Sequence, residues 1–354
     1  MQPSGPPVPP SLRSVGARVE ERLEELFARE LERWAALSAD LVPPLESLRA
    51  LVMSGGKRLR PAFCYWAFRG AGGEAESHEV IDAGAAFEML QAFALVHDDI
   101  MDGSSMRRGA RTAHLAYGDR HDEVGWRGES RRFGEGVAIL IGDLAHVYAD
   151  VLLPRSTPDV LAVWDELRIE LNVGQYLDLL GTARADVDPE AARRVARYKS
   201  GKYTIERPLH VGAALAGRLP ELQAVLSAYG DPLGEAFQLR DDLLGAFGDS
   251  SVTGKPVGDD LREGKPTPLL ASAAARATEA QSRVLAAVGQ PELDEDGVAR
   301  IQQVLTDTGA VRVVERSIDD LTAEALDAIK AAPIEPEARD ALVELAHFVA
   351  WRTA

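Results

Sequence analysis

From His78 to Asp102 the chain carries a helical pattern that is apolar nearly all round, with Ile81, Ala85, Phe87, Leu90, Phe93, Ala94 and Val96 leaving no continuous polar face. Such a helix has to be surrounded by other elements, so it is expected at the centre of the fold. It ends on three carboxylates, Asp98, Asp99 and Asp102. Asp98 and Asp102 stand one turn apart on the same face, with Asp99 beside them. Like charges this close repel, and the C-terminal end of the helix dipole disfavours them further. Hard carboxylate oxygens suit Mg²⁺, with Mn²⁺ as a substitute, and Mg²⁺ takes the rest of its shell from water and substrate phosphates. Arg107 and Arg108 follow closely, two planar forks matched to phosphate oxygens. The stretch reads as a diphosphate site. A solvated helix end is the bland alternative, and a second copy argues against it: FQLRDDLLGAFGD, Phe237 to Asp249, again puts paired aspartates, Asp241 and Asp242, at the end of an apolar helix.

The remainder is helical in pattern. Val19, Leu23, Leu26, Phe27, Leu31, Trp34 and Leu37 follow a 3.6-residue period, which predicts an amphipathic helix over about Val15–Ser38. Helical patterning returns over Gly136–Leu153 and Asp159–Leu180, and Pro208 inside a further helical pattern is expected to kink it. Ala110–Glu135, rich in Gly, Arg and Asp, reads as a loop or broken helices. No alternating segment of weight and no solenoid repeat is present. The expected fold is all-α, a single large helical bundle over residues 15–354 around a central cavity, with the two aspartate motifs facing each other across its mouth. Residues 1–14, rich in Pro and Ser, read as a disordered tail.

Composition narrows the partners. A net charge of −17 makes nucleic acid an unlikely partner and offers no polybasic membrane anchor. Phosphate binding then depends on local basic residues. The one cysteine, Cys64, has no internal disulfide partner and sits in an apolar helical stretch, which points to a buried structural thiol and a cytoplasmic location. No apolar run reads as long enough to span a bilayer, and the N-terminus lacks a signal-peptide core.

Seven landmarks in order make the sequence resemble the trans-isoprenyl diphosphate synthases, the polyprenyl synthetase family, from about Ser54 to Lys265. They are GGKRLRP at Gly55–Pro61, DDIMD at Asp98–Asp102, RRG at Arg107–Gly109, GQYLD at Gly174–Asp178, YKS at Tyr198–Ser200, FQLRDD at Phe237–Asp242 and TGKPVGDDLREGK at Thr253–Lys265. The resemblance implies a short-chain synthase of the type I isoprenoid fold, a homodimer that joins isopentenyl diphosphate head-to-tail to dimethylallyl, geranyl or farnesyl diphosphate with Mg²⁺. Its metal ligands are expected to be Asp98, Asp102 and Asp241, with Asp99 and Asp242 in support.

Gly55 and Gly56 let the backbone turn before a helix expected to start near Lys57, whose first turn offers Lys57 and Arg60 to one anion. Together with Gln91 and Arg108 these are the expected isopentenyl diphosphate site. The resemblance assigns the allylic diphosphate to Arg107, Lys199, Gln238, Lys255 and Lys265. It places Gln175 and Asp178 along the allylic pocket, and an unaided reading also singles them out as a polar pair within an apolar helix. Ser250–Lys265 reads as a lid-like loop with Asp259 behind the metal, while the role of Lys202 stays open. Phe93 and Ala94, one turn before Asp98, are expected to set the floor of the chain pocket. A Phe with a small neighbour suggests geranylgeranyl diphosphate as product, with farnesyl diphosphate the alternative.

Two departures bear on this. Gln91 stands where bacterial members most often have histidine, and Gly245 stands where many relatives carry a third aspartate. A class I terpene cyclase would also use an aspartate cluster and Mg²⁺, but has no need of Lys57, Arg60 and the second aspartate pair. A non-catalytic partner subunit would typically lose an acidic motif, and both are largely retained.

Overall fold

The computed structural model describes residues 7–184, 189–248 and 258–352. Its contacts divide the chain into two compact units that interleave in sequence. One is formed by 10–65 and 74–156, and the other by 1–9, 66–73 and 157–354.

In the first unit α1 (Pro10–Ala35) and a 3₁₀ turn (Ala39–Leu41) lead to α2 (Val42–Met53) and the start of α3 (Leu59–Gly70). The central helix α4 (His78–Asp102) follows, then a hairpin of β1 (Met106–Arg107) and β2 (Ala110–Arg111), and finally α5 (Ala113–Val124) and α6 (Ser130–Leu152). Helices α1, α2 and α6 pack on α4, and α5 packs on α6. Val80, Ala83, Ala85, Ala86, Phe87, Met89, Leu90 and Val96 of α4 are buried all round the helix, as its unbroken apolar pattern requires. Cys64, on α3, is fully buried, and burial pushes its thiol pKa up, which suits a structural role.

Some details differ from the sequence reading. Helix α1 begins at Pro10, inside the stretch expected as tail, because Leu12 and Val15 already have a core to join. It ends at Ala35, so Leu37 lies beyond it and is 71% exposed. The segment 110–135 consists of β2, α5 and the start of α6. Helix α4 is long and apolar enough to cross a membrane by length and composition, against the expectation of no such run. Of its most apolar window 67% is buried, the property of a core helix.

The second unit contains α7 (Pro158–Arg184), α8 (Pro189–Val195), a π-helical stretch (Ala196–Glu206), α9 (Arg207–Leu215) and the long α10 (Leu219–Phe247). It continues through α11 (Asp259–Glu263), α12 (Pro268–Ala274), α13 (Glu279–Leu285), α14 (Glu295–Asp307), α15 (Ala310–Lys330) and α16 (Pro336–Trp351). Its core runs along α10, where Leu239, Leu243 and Ala246 meet Leu261, Leu269, Ile301, Leu305, Val314 and Ile318. Pro208 falls in the first turn of α9, where the π-helical stretch runs into it.

A buried imidazole lies in this unit. His210 on α9 is 1% exposed, with Nε2 3.1 Å from Ser227 Oγ. Burial lowers its pKa from 6.5 to about 4, against the opposing pull of Glu206. Between those two values the unfolded chain binds more protons than the folded one. The stability contributed by neutral His210 is therefore complete above pH 6.5 and is lost as the pH falls toward about 4. Denaturant unfolding across that window is expected to show stability rising with pH, with a shallower slope in His210→Gln; an unchanged slope would refute the assignment.

Candidate active site

The first unit assembles an acidic cluster and an arginine patch. Gly55 and Gly56 turn the chain at φ 101° and 146°, which L side chains rarely adopt, and Arg58 follows at φ 50°. Helix α3 therefore starts at Leu59, so Lys57 sits on the turn ahead of the helix and shares no helical face with Arg60, as had been expected. The sequence reading passed over Arg58, which is 4% exposed. It pairs with Glu88, with Glu20 Oε1 at 3.1 Å and with the Val52 carbonyl at 2.9 Å. Burial alone would lower its pKa, but the Glu88 and Glu20 carboxylates outweigh that and raise it. This middle residue of the glycine-led motif ties the turn to α1, α2 and α4.

Arg107 and Arg108 are delivered by the β1–β2 hairpin. Its two loop residues, Arg108 and Gly109, take φ 50° and 76°, the left-handed pair that a twist-matched two-residue loop demands. Arg107 turns back to the end of α4, its Nε 2.9 Å from Asp99 Oδ1 and its Nη2 3.7 Å from Asp98 Oδ2. Asp99 is 4% exposed, so it serves as the inner counter-charge of Arg107. Asp98 and Asp102 then form the face-sharing pair at the helix end, one turn apart. Arg108 hydrogen-bonds the carbonyls of Leu51, at 2.9 Å, and Gly55. Its pKa is lowered first by burial and also by the neighbouring positive charges of Arg58, Arg107 and Arg60, with Glu88 opposing. Bringing an anion to such an excess of guanidinium charge relieves repulsion.

Gln91 is half-buried on α4. Ala94 lies on the row that continues to Asp98 and Asp102, whereas Phe93 lies on the row of His97 and turns toward α6. There its ring stacks on His146 with centroids 4.7 Å apart and meets His97 edge-on, also at 4.7 Å. His97 fits because α6 has Gly142 opposite, where an added Cβ would lie 2.3 Å from Nε2. Neither histidine was singled out from the sequence, since contact between helices leaves no spacing signal.

The second unit holds the other acidic cluster. Lys199, on the π-helical stretch, places Nζ 2.5 Å from Oδ2 of Asp178 on α7, next to the turn that carries Gln175. On α10 Gln238 donates to Asp242 Oδ1 at 2.8 Å. Asp242 is 4% exposed, and its Oδ2 has no hydrogen-bond partner among the described residues. Its pKa is pushed well up, first by burial and then by Asp260 and Asp241, with Gln238 and Lys265 opposing. Asp241, partly exposed, pairs with Arg352. Arg352 is 2% exposed and lies with Cζ 4.3 Å from the centroid of the Phe237 ring. Arg352 was not singled out from the sequence, since a lone basic residue after an apolar helix gives little sign of such a pairing.

Gly245 explains its own departure. A Cβ there would lie 1.8 Å from Asp260 Oδ2, so the carboxylate of Asp260 occupies the space that a side chain at 245 would need. Asp260 belongs to α11, which replaces part of the loop expected over 250–265, and its carboxylate meets α10 at Gly245. Lys265, just beyond α11, has Nζ 2.6 Å from Glu263 Oε2. Lys255 and Asp249 lie outside the described residues.

Among the described residues no three acidic, histidine or cysteine side chains form a closed metal cage. The donor chemistry nevertheless fits a hard divalent ion. Asp98 and Asp102 offer paired carboxylates, Asp242 has a buried oxygen without a partner, and Mg²⁺ needs only one or two protein carboxylates beside substrate phosphates.

The family model for polyprenyl synthetase matches residues 44–306. The chain is 33% identical to a geranylfarnesyl diphosphate synthase of Aeropyrum pernix, over 85% of this chain and 92% of that one. It is 30% identical to an octaprenyl diphosphate synthase of Escherichia coli, over 94% and 98%. A crystal structure of a geranylgeranyl pyrophosphate synthase from Corynebacterium glutamicum, complexed with isoprenyl diphosphate and magnesium, superposes with a TM-score of 0.86 at 39% identity. That match covers 94% of this chain and 98% of the other.

Gly245→Asp is expected to lower the unfolding free energy by about 1–3 kcal/mol, because two carboxylates cannot occupy one space. Adding Asp260→Ala should recover most of the loss. Thermal unfolding of the single and double variants checks this, and a stable single variant would refute it.

Proposed function

The chain belongs to the polyprenyl synthetase family, and on that premise we propose that it is a short-chain trans-prenyl diphosphate synthase giving geranylgeranyl diphosphate. The observation that carries the reading is the first unit's gathering of an aspartate cluster and the arginines around Arg108. Both are what binding a diphosphate requires.

In this reading Lys57, Arg60, Gln91 and Arg108 hold the diphosphate of isopentenyl diphosphate. Lys199, Gln238, Lys255 and Lys265 bear on the diphosphate of an allylic partner, and Arg107, anchored on Asp99, keeps a positive charge at the first acidic cluster. Mg²⁺, with Mn²⁺ as a substitute, held by Asp98, Asp102 and Asp241, would neutralise the leaving diphosphate as the allylic C–O bond breaks. The basic side chains stabilise the same developing charge, and the apolar surroundings of α4 keep water from the allylic cation. The double bond of isopentenyl diphosphate then attacks, a proton is lost to the released diphosphate, and the chain grows by one isoprene unit. Gln175 and Asp178 line the path of the allylic carbons.

Ala94 leaves space on the row below Asp98, while Phe93 is held away from that row between His97 and His146. This supports a pocket deep enough for geranylgeranyl diphosphate. The named relatives span several product lengths, so the pocket, not the family, carries that choice. Farnesyl diphosphate is the alternative. A homodimer is supported by two uncovered apolar stripes, Leu140, Val147 and Val151 on α6 and Ile169, Val173 and Tyr176 on α7. The single buried thiol suits a cytoplasmic site of action.

Three outcomes follow. Asp98→Ala is expected to lower turnover by at least ~10²-fold, the scale of losing one electrostatic stabiliser; wild-type rates in that variant would sink the metal assignment. Labelled isopentenyl diphosphate incubated with Mg²⁺ and each allylic starter should give geranylgeraniol after dephosphorylation. Farnesol as the end product would keep the reaction and remove the pocket argument. Light scattering of the purified protein should give the mass of two chains, and Leu140→Asp should shift it toward one; a monomeric wild type at micromolar concentration would exclude the dimer.

A further inference from the structure

A π-helical stretch is rare and persists only where its surroundings hold it. Here it spans Ala196–Glu206 and carries Lys199. A closed set of charges lies beneath it. Lys202 Nζ is 3.1 Å from Glu170 Oε1 and 3.1 Å from Glu206 Oε2. Arg207 donates through Nε and Nη2 to the two oxygens of Glu170, each at 2.7 Å. Ser227 donates to Glu206 Oε1 at 2.7 Å, and His210 contacts both Ser227 and Arg207. Glu170 is 8% and Glu206 3% exposed, so these charges are taken out of water and compensated within the set.

The partner surface is one row of α7. Glu170, Gly174 and Asp178 follow each other at four-residue steps, one above the next on a single face. Glu170 takes Lys202 and Arg207, and Asp178 takes the Lys199 ammonium. Between them Gly174 admits the backbone, since a Cβ there would lie 2.4 Å from the Lys199 nitrogen. On the other side Gly201 and Gly234 touch, a Cβ on Gly234 falling 2.8 Å from Gly201 Cα. The stretch is thus keyed on two sides and pinned by charge at its C-terminal end. Relaxing it to ordinary helix would shift the register by a residue and swing Lys199 by about 100° away from Asp178.

We infer that Glu170, Lys202, Glu206 and Arg207 form a latch that holds the π-helical stretch in the register presenting Lys199 beside Asp178 and Gln175, making them positioning residues for the allylic diphosphate. This rests on the function proposed above for its substrate, but not for its mechanics. A buried ion set of this kind adds little net stability, so holding a geometry is its reasonable use.

The test uses the full chain and Glu170→Gln, which removes a charge while keeping the shape. Hydrogen exchange without substrate is read first. Amides of 196–206 are expected to exchange at least about tenfold faster in the variant, with α10 and α15 unchanged. In steady-state assays with Mg²⁺ the KM for the allylic diphosphate should rise at least about tenfold, while the KM for isopentenyl diphosphate stays within about twofold. Unchanged exchange over 196–206, or an equal rise in both KM values, overturns the latch. Should Glu170→Gln fail to fold, Ser227→Ala weakens only the Glu206 arm and must show the same two shifts at smaller size; no shift in it also overturns the inference. If the wild type elongates no allylic diphosphate, the proposed function fails, and the exchange measurement still decides the latch.

Discussion

Carboxylates buried in or near the ends of apolar helices are costly groups, and the counter-charges supplied to several of them shape both units. Asp99 ends the central helix α4 and is buried, and Arg107 reaches it from a hairpin built with two left-handed residues. Asp241, in the C-terminal part of α10, takes Arg352 from beyond α16. Asp178, buried in α7, takes Lys199 from a π-helical stretch. In each case the cation comes from an element of unusual conformation or from the chain's end. Placing a charged group against a buried partner takes precedence over regular backbone, because an unpaired buried charge costs several kcal/mol.

The same constraint accounts for Asp242. Its buried oxygen has no partner among the described residues, and burial together with Asp260 and Asp241 pushes its pKa well up. Burial is met at Asp242 by favouring the neutral carboxyl and not by a counter-charge. At Arg108 burial first, and then the guanidinium neighbours, lower the pKa against the pull of Glu88, and an anion would oppose that shift. One unit therefore gathers arginines around a buried Arg108, and the other holds a buried carboxyl that favours its neutral form.

Much of this was legible in the sequence. The all-round apolar pattern of α4 marked a central helix, and the structure buries it. Paired glycines marked a turn and both have positive φ. Other features were hidden for physical reasons. Lys57 looked like part of a helical turn because Arg58 gives no outward sign of adopting φ 50°. Gly245 looked like a lost carboxylate, yet Asp260, fifteen positions on, fills the space. Phe93 was read as the pocket floor, but His97 and His146 decide where its ring points. Each of these depends on packing between elements distant in sequence, which periodicity cannot express.

By itself the sequence determined what is set by residues a few positions apart: helical class, the chemistry of the two aspartate motifs and the family they announce. Such features follow from local spacing and side-chain chemistry, which the linear order states directly. Tertiary structure alone decided which cation each carboxylate receives, that Arg58 braces the turn while Lys57 lies ahead of the helix, and that Lys199 rides on a π-helical stretch pinned by Glu170, Lys202, Glu206 and Arg207. Electrostatic pairing in a low-dielectric interior acts through space and is indifferent to sequence separation, so it is settled only when the helices have packed.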